Sequence, residues 1–420
     1  MHTAYKYRLY PTAEQEIQLK QICGSTRWLW NYMLDLNQKQ YAVEKKFVFV
    51  FDMKKLIPGL KTQHDWLKNS PSQSLQQVCF HLDDAMKRVW KQGSGFPKFK
   101  SRRLSKDSFY VPQSGNGQIK INAKSIVMPK IGAINWQYHR SISGVVKSIT
   151  VSCDVDQWYV SVLCASADID PALLDRDKAI GLDLGLTDFA ITSDGQKFSS
   201  PKFLRKSSKR IIKKQRALSK KAKGSKNRNK ARIRLARLHR QVRNQRANWL
   251  HQLSHSLVKK YDVICVEDLK TKDLMSRKKK TKNLSKAIAD QGWGMFLNMI
   301  RYKSERAGKA FAQIDQYLAS TKTCCTCKQP RNMTLADRVH VCYNPACADY
   351  LVEKDRDTNA ANNILFWGLM LVDGSRFTTN TPGTGEINAC GDTFVPDSQA
   401  YDWHQEVSMK QEAACPLGQR

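Results

Sequence analysis

The sequence predicts a multidomain α/β protein in which a helical region, a β-rich module and a mixed strand and helix region follow one another. A length of 420 residues is enough for two or three domains, each with its own core. Apolar residues recur at helical spacing from Ser72 to Trp90, and short alternating runs broken by turn residues extend from Ser108 to about Ala165. From Lys178 onward, apolar strand-like runs alternate with helical segments, which is typical of an α/β sheet.

The first ten residues alternate aromatic and basic side chains, and this pattern predicts a strand that ends at Pro11. Helical segments follow, and the one from Ser72 to Trp90 must bury one face because its apolar residues lie on a single stripe. The β-rich module comes after these segments. We expect the N-terminal strand to complete that module.

The third region opens with the sequence AIGLDLGLTDFAITSDGQKF, which predicts two strands, an Asp-Gly turn and a return strand. Residues 202–246 then contain 20 Lys and Arg and no Asp or Glu. Apolar residues form a stripe in the later part of this segment, so it predicts a long helix or a helix pair.

The remaining elements alternate in the same way. The predicted order is the strand YDVICVE, a basic loop (SRKKKTKNLSK), a helix from about Gly294 to Ala307, a short strand, a cysteine cluster and a last helix beginning near Asp357. Beyond about Val372 the chain is rich in Gly, Thr, Asn and Ser and shows no period, so we expect it to be mostly disordered.

The formal net charge of +33 predicts a polyanionic partner, because such an excess repels itself in a compact fold. We expect the basic segment 202–246 to contact phosphates, with binding that weakens steeply as salt increases. Aromatic side chains near Arg27 (Trp28, Trp30 and Tyr32) fit either base stacking or core packing. No apolar stretch is long enough for a membrane span and the N-terminus lacks a secretion signal, so the sequence predicts a cytoplasmic protein without a membrane partner.

Three separated carboxylates are candidates for a catalytic site. Asp183 lies on a predicted strand with Gly181 and Gly185 on the same face, which predicts a bare surface that a phosphate and a metal ion can approach. Glu267 ends the apolar strand YDVICVE, at the strand end where open α/β sheets bind ligands. Asp357 precedes the last helix, whose apolar face is predicted to pack on the sheet.

Carboxylates from two strands and a helix can hold two Mg²⁺ ions about 4 Å apart, as an in-line displacement at a phosphodiester requires. Taken singly, each acid also fits a surface or turn residue. Asp355 competes with Asp357 for the third position but is better suited to capping the last helix. Asp188 and Asp268 are interpreted as structural.

The cysteines indicate a second metal site. Of 12 cysteines, five lie within residues 324–347. The pairs Cys324/Cys327 and Cys342/Cys347 have the short spacings of ligand loops, and four thiolates would complete a tetrahedral, structural Zn²⁺ site. Cys325 is an alternative to Cys324.

Nine segments carry a resemblance to a known family over nearly the whole of residues 1–370. They are YKYRLYPTAEQE, STRWLWNYML, GFPKFKSRR, AIGLDLGLTDFA, the basic helix through NQRANWLHQLS, YDVICVEDL, MIRYKSERAGK, TKTCCTC and DRDTNAANNIL. Together they resemble the TnpB (OrfB) proteins, which are RNA-guided nucleases of insertion sequences and relatives of the type V CRISPR effectors. The second cysteine pair departs from the family pattern, because four residues (YNPA) separate the cysteines where two are usual.

The resemblance implies an RNase H-like, RuvC-type nuclease whose acids are Asp183, Glu267 and Asp357. It also implies that a guide RNA from the transposon end occupies the basic surfaces and that the target is double-stranded DNA. Base pairing would then select the target, and the protein would read a short motif beside it. The resemblance implies no particular protein partner.

The same resemblance implies a domain organisation. It comprises a β-barrel-like wedge domain (1–10 and 105–172), a helical recognition domain (11–104), a RuvC-like nuclease domain (173–319 and 352–371), a zinc-binding module (320–351) and a tail (372–420).

Two other functions fit parts of the sequence. A regulator of transposition could bind nucleic acid through the zinc module and the basic helix without cleavage, although this leaves the three acids without a role. A transposase could join DNA strands at an RNase H-like site, although nothing in the sequence resembles the tyrosine and histidine pair of single-strand transposases.

Overall fold

The computed structural model of the chain describes residues 2–102, 105–113, 118–276, 282–318, 320–334 and 336–372. The chain divides into two compact units, Met1–Ile169 with Lys213–Leu238 and Asp170–Ile212 with His239–Arg420. The segment predicted to be disordered lies outside the described residues from 373 onward. Among the helices that the structure describes, none has both the length and the apolar character needed to cross a bilayer.

The first unit contains a seven-stranded antiparallel sheet. Its strands are β1 (His2–Tyr10), β2 (Ser108–Pro112), β3 (Lys120–Ile121), β4 (Ser125–Met128), β5 (Gly132–Trp136), β6 (Val145–Asp154) and β7 (Gln157–Ala165). Their order is β2-β6-β7-β1-β5-β4-β3, so the N-terminal strand lies inside the sheet, between β7 and β5. The prediction that β1 belongs to the β-rich module is confirmed. Its alternating residues Tyr5, Tyr7 and Leu9 are buried in the core of the module.

Three α-helices lie between β1 and β2 in this unit. They are α1 (Ala13–Glu44), α2 (Val50–Gln63) and α3 (Ser72–Gln92), with a short 3-10 helix at Asp65–Asn69. Thr12 and Gln15 start α1 with a capping box, because each side chain accepts a hydrogen bond from the other residue's backbone N–H. The predicted helix at Ser72 is confirmed, and its apolar stripe packs in the core of the three helices.

The two tryptophans near the N-terminus differ in burial, and both pack with the helical core. Trp30 is buried, and its indole N–H donates to the carbonyl oxygen of Lys98. Trp28 packs in an aromatic cluster with Tyr32 and Trp66, both of which are partly exposed at the surface. Trp30 is therefore a core residue.

The basic segment forms a pair of helices, which is one of the two structures predicted for it. The helices are α4 (Phe203–Ser219) and α5 (Lys226–Lys260).

The second unit is built around a five-stranded mixed sheet. Its strands are β8 (Ala179–Asp183), β9 (Asp188–Thr192), β10 (Lys197–Ser199), β11 (Val263–Glu267) and β12 (Ala310–Ile314). The order is β10-β9-β8-β11-β12. Strands β8, β11 and β12 are parallel to one another, and β9 is antiparallel to both of its neighbours, β8 and β10. The predicted turn between β9 and β10 contains Gly195 at φ 81°, a conformation that favours glycine.

Helices cover both faces of this sheet, as expected for buried parallel strands. The described elements that complete the unit are α6 (Thr271–Ser276), α7 (Lys282–Gln291), α8 (Trp293–Arg306), β13 (Val339–Val341), β14 (Glu353–Asp355) and α9 (Arg356–Leu371). The apolar residues of α8 and of the later part of α5 pack on one face, and those of α9 pack on the other. The prediction of a basic loop at SRKKKTKNLSK was wrong in part, because residues 282–286 begin α7. Residues 277–281 of that loop lie outside the described residues.

Two glycines let α9 lie directly on the strands. A Cβ atom built on Gly181 of β8 would lie 2.0 Å from the carbonyl oxygen of Ala361. A Cβ atom built on Gly368 of α9 would lie 2.3 Å from the Sγ atom of Cys265 in β11. Any larger residue at either position would force the helix and the sheet apart.

This close contact leads to a stability prediction. Gly368→Ala should lower the free energy of unfolding by about 1–3 kcal/mol, because its methyl group would overlap the Cys265 side chain. Urea denaturation of both proteins measures the difference. The matched control is Gly59→Ala in α2, where a Cβ atom meets nothing within 4 Å, and it should leave stability unchanged or raise it by up to about 1 kcal/mol. Equal stability of Gly368→Ala and the wild type would contradict the close contact.

Candidate active site

Adjacent parallel strands bring two of the predicted acids to one edge of the sheet. Strand β8 pairs with β11 so that Leu182 lies opposite Val266. The next residues, Asp183 and Glu267, therefore end their strands side by side at the carboxyl edge. Both are half-buried, and alternation along the strands turns both toward the face that α9 covers.

Helix α9 adds the third acid. Asp357 lies in its first turn, and the side chain of Asp355 caps the helix by accepting hydrogen bonds from the backbone N–H groups of Asp357 (3.1 Å) and Thr358 (3.0 Å). Asp355 also forms an ion pair with Lys197 of β10, at 2.8 Å. Asp355 is thus occupied as a cap, which is the role that the sequence favoured for it.

The electrostatics of the three acids indicate that they are close in space. Burial, followed by the nearby carboxylate of Asp357, raises the pKa of Asp183 to about 7. Burial, followed by the carboxylate of Asp183, raises the pKa of Glu267 to about 7. Like charges that share a half-buried site disfavour ionisation, and a divalent cation between them would reverse this effect.

One expectation about this surface was wrong. The sequence predicted a bare face around Asp183 because Gly181 and Gly185 flank it. Helix α9 covers Gly181, and a Cβ atom on Gly185 would lie 2.9 Å from the carbonyl oxygen of Asp188. The two glycines therefore permit helix packing and a tight turn.

Arg356, which sequence reasoning did not single out, contacts the third acid. Its Nε and Nη2 atoms both lie 3.0 Å from Oδ1 of Asp357. An arginine between two aspartates at the start of a helix was the only signal of this contact in the sequence.

The raised pKa values predict how pH acts on the protein in the absence of Mg²⁺. The folded state holds the protons of Asp183 and Glu267 up to about pH 7, whereas ordinary carboxyl groups in the unfolded chain lose theirs near pH 4. The folded state therefore binds more protons between about pH 4 and 7, and this contribution to stability is lost as the pH rises through 7.

Melting temperatures measured from pH 5 to 8 should show this loss. The decline with pH should be about 2–4 °C smaller in Asp183→Asn, which has no carboxyl group to ionise at that position. Added Mg²⁺ should raise the melting temperature of the wild type most at pH 8. Identical pH profiles of the two proteins would contradict the raised pKa of Asp183.

The four predicted cysteines form a cluster. The Sγ atoms of Cys324, Cys327, Cys342 and Cys347 all lie within 4.8 Å of one another, including pairs at 3.9 Å (Cys324 and Cys347) and 3.5 Å (Cys327 and Cys342). Four sulfur atoms bound tetrahedrally to one zinc ion would lie about 3.8 Å apart. The donors and their spacing therefore fit zinc. Among the described residues, Asp183, Glu267 and Asp357 do not form a comparably compact group of ligand atoms.

Cys325 lies outside this cluster. Its backbone N–H donates to Oδ1 of Asn359 in α9 (2.9 Å), and its Sγ atom lies 3.5 Å from the Nζ atom of Lys354. The geometry therefore groups Cys324 with the other three thiols and leaves Cys325 against the last helix.

Three family models match the chain. The one described as "Probable transposase" (OrfB_IS605) matches residues 157–278, one described as "Helix-turn-helix domain" matches 1–46, and one described as "Cas12f1-like, TNB domain" matches 293–364.

Full-length relatives decide the family. A Streptomyces pristinaespiralis protein named "Putative RNA-guided DNA endonuclease" is 32% identical over 405 residues, covering 94% of this chain and 93% of the relative. The Escherichia coli (strain K12) protein named "Putative RNA-guided DNA endonuclease InsQ" is 30% identical, covering 87% of this chain and 92% of the relative. "TnpB-like protein L79" of Acanthamoeba polyphaga mimivirus is 23% identical over 87% of this chain and 73% of its own length. The chain belongs to the TnpB (OrfB) family.

The fold of this TnpB-family chain is similar to a solved structure. The cryo-EM structure of a Cas12f1-sgRNA-target DNA complex matches 87% of this chain and 98% of that chain, with a TM-score of 0.53 and 13% identity. This confirms a multidomain α/β fold. The segment that matches the helix-turn-helix model forms strand β1 and the single helix α1 in the TnpB-family chain.

The basic helices of the TnpB-family chain are mostly exposed, but acids from elsewhere compensate some of their charge. Arg237 forms an ion pair with Asp156 at 2.7 Å. Arg246 is largely buried and forms an ion pair with Asp290 of α7. The uncompensated positive charge of the segment is therefore smaller than its own sequence indicates. The ion pair of Arg246 connects α5 to α7 within the second unit.

Proposed function

We propose that this chain is a transposon-associated, RNA-guided DNA endonuclease that hydrolyses phosphodiester bonds at one RNase H-like, RuvC-type site. Two relatives of nearly the same length carry the printed name of RNA-guided DNA endonuclease. The observation that carries the proposal is the meeting of Asp183 and Glu267 at adjacent strand ends, with Asp357 close enough to raise the pKa of Asp183.

The proposed catalytic residues are Asp183, Glu267 and Asp357, and the proposed cofactor is Mg²⁺. Carboxylate oxygens are the ligands that Mg²⁺ prefers, and two such ions would activate a water molecule and stabilise the leaving oxygen. The protein would supply a rigid arrangement of oxygen atoms, because Asp183 and Glu267 stand on buried strands. The capped first turn of α9 would hold Asp357 over them.

The four-cysteine cluster is proposed to hold one structural Zn²⁺ ion. All four ligands would be thiolates, so no position would remain open for a water molecule or substrate. The ion would fix the loops that precede α9. Its role would be to shape the protein, without taking part in the reaction.

The proposed partners are a guide RNA from the transposon end and a double-stranded DNA target. The excess positive charge supports binding to phosphates, while base pairing between guide and target would supply sequence specificity. In the domain organisation given above, the β-rich module would form a wedge domain and α1–α3 a recognition domain that read the motif beside the target. The cytoplasm is the proposed location.

Expression of the chain together with its flanking DNA tests this function. RNA that co-purifies would be sequenced and the complex incubated with Mg²⁺ and a DNA library that is randomised beside a matching target. Cleavage that requires the RNA, the match and one flanking motif is expected.

Two other outcomes would overturn the proposal. DNA that stays intact with a bound guide and Mg²⁺ would identify a non-cleaving regulator of transposition. Joined DNA products would identify a transposase.

A further inference from the structure

Arg356 contacts the third acid directly, and its charge also acts on Asp183 at the end of β8. Its guanidinium approaches Oδ1 of Asp357 through two nitrogen atoms, Nε and Nη2, each at 3.0 Å. The remaining nitrogen, Nη1, donates to the backbone carbonyl oxygen of Asp337 at 2.7 Å. One rigid planar group thus joins Asp357 to a backbone position in the loop between the two cysteine pairs.

The backbone strengthens this connection. Strand β14 pairs with β13, and Val339 lies opposite Asp355. The backbone N–H of Arg356 donates to the carbonyl oxygen of Arg338 at 3.0 Å, which extends the same ladder by one residue. Helix α9 begins at that residue, so the orientation of its first turn is set by the pairing of β14 with β13, which lies in the zinc-binding module.

The pair is partly shielded from solvent. The side chain of Arg356 is 13% exposed and that of Asp357 is 30% exposed. Ion pairs on open surfaces contribute little, whereas a pair in which the arginine is buried and also bound to a carbonyl oxygen keeps one geometry. The neighbouring acid, Asp355, is fixed by Lys197 and by the helix N-terminus. Two independent sets of contacts therefore restrain the residues on either side of the helix start.

We propose that Arg356 is a positioning residue that fixes the carboxylate of Asp357 to the zinc-binding module, so that a divalent ion meets this ligand already oriented. The proposal rests on the proposed function, since it takes Asp357 as a ligand of the catalytic ions. Partners that orient metal ligands in this way typically contribute 10–100-fold to metal affinity.

A different role for the same contact would have the opposite effect. If Arg356 were only a counter-charge that occupies Asp357 until a divalent ion displaces it, removal of the guanidinium would tighten ion binding. If it restrains the ligand, removal releases the Asp357 side chain into several rotamers and weakens ion binding. The direction of the change separates the two roles.

The test is a titration of the full-length chain with Mn²⁺, in which the free ion is measured by electron paramagnetic resonance. RNA is left out because it binds Mn²⁺ itself. Arg356→Gln should raise the dissociation constant for Mn²⁺ by about tenfold or more. Arg356→Lys should recover only a small part of this loss, because one ammonium group cannot hold both the Asp357 oxygen and the Asp337 carbonyl. Zinc content and melting temperature are recorded for each variant.

Arg331→Gln is the matched control. Arg331 also belongs to the cysteine-containing segment and donates to a backbone carbonyl, that of Val341 at 3.2 Å, but it has no described contact with the acids. Its Mn²⁺ affinity should equal that of the wild type. If Arg356→Gln loses zinc or unfolds, Arg356→Lys decides the question.

Three results would distinguish the possible failures. Unchanged or tighter Mn²⁺ binding in both Arg356 variants, with zinc retained, overturns the positioning role. If Asp183→Asn weakens Mn²⁺ binding in the same titration, the proposed function survives that result. If Asp183→Asn also binds Mn²⁺ as the wild type does, the assignment of the acids itself is wrong.

Discussion

Replacement of Asp183 by asparagine is expected to reduce DNA cleavage by about a thousandfold or more. The substitution keeps the size of the side chain but removes the negative charge at the end of β8, and metal-ion stabilisation of such a reaction is worth several kcal/mol. RNA binding should stay close to that of the wild type, since the basic helices are unchanged. Single-turnover cleavage and RNA binding at equal Mg²⁺ concentrations measure the two effects.

Asp188→Asn is the control for this prediction. Asp188 lies in the neighbouring strand β9, and its carboxylate accepts a hydrogen bond from the hydroxyl group of Ser199 at 3.0 Å. The variant loses the same charge from the same sheet and should cleave at nearly the wild-type rate. Cleavage by Asp183→Asn at a similar rate would show that Asp183 is not part of the active site.

Replacement of Cys342 by serine is expected to have the second largest effect, because it removes one of the four proposed zinc ligands. Structural zinc sites bind with apparent free energies of about 10–16 kcal/mol near neutral pH, and folding of small modules depends on that energy. Zinc content should fall from about one ion per chain to a small fraction. Limited proteolysis should then cut residues 320–351 while the seven-stranded sheet stays protected.

Cys325→Ser separates loss of a ligand from loss of a buried thiol. Cys325 is as buried as Cys324, yet it lies outside the cluster and against α9. This variant should retain its zinc and its resistance to proteolysis. Zinc loss in Cys325→Ser, or full zinc content in Cys342→Ser, would show that the set of ligands is wrong.

Local sequence patterns were sufficient to predict features that depend on residues close together in the chain. The apolar run before Glu267 predicted a buried strand, and the strand ends at this acid. The two cysteine pairs were visible as spacings, and their thiols meet in one cluster. The positions of Asp183, Glu267 and Asp357 were proposed from such patterns, and their catalytic role stays a prediction until the variants are measured.

Contacts between distant segments could not be read in the same way. Gly181 looked like an open surface because the sequence does not say that α9 packs on it. Arg246 looked like a phosphate ligand because its partner, Asp290, lies 44 residues away. Arg356 and Asp357 are adjacent in sequence. The hydrogen bond from Nη1 of Arg356 to the carbonyl oxygen of Asp337, however, depends on the pairing of β14 with β13. Each case requires knowledge of which elements meet in space.

The glycine contacts beneath α9 have a consequence for variation among relatives. Because the backbone of α9 rests on Gly181 and the Cys265 side chain rests on Gly368, the depth of this helix does not depend on the length of the loops before it. A longer spacing between the second pair of cysteines, such as the YNPA segment, can be accommodated outside the sheet while Asp357 keeps its position relative to the strands. Insertions should therefore be tolerated in the cysteine loops, and bulky residues should be rare at the two glycines.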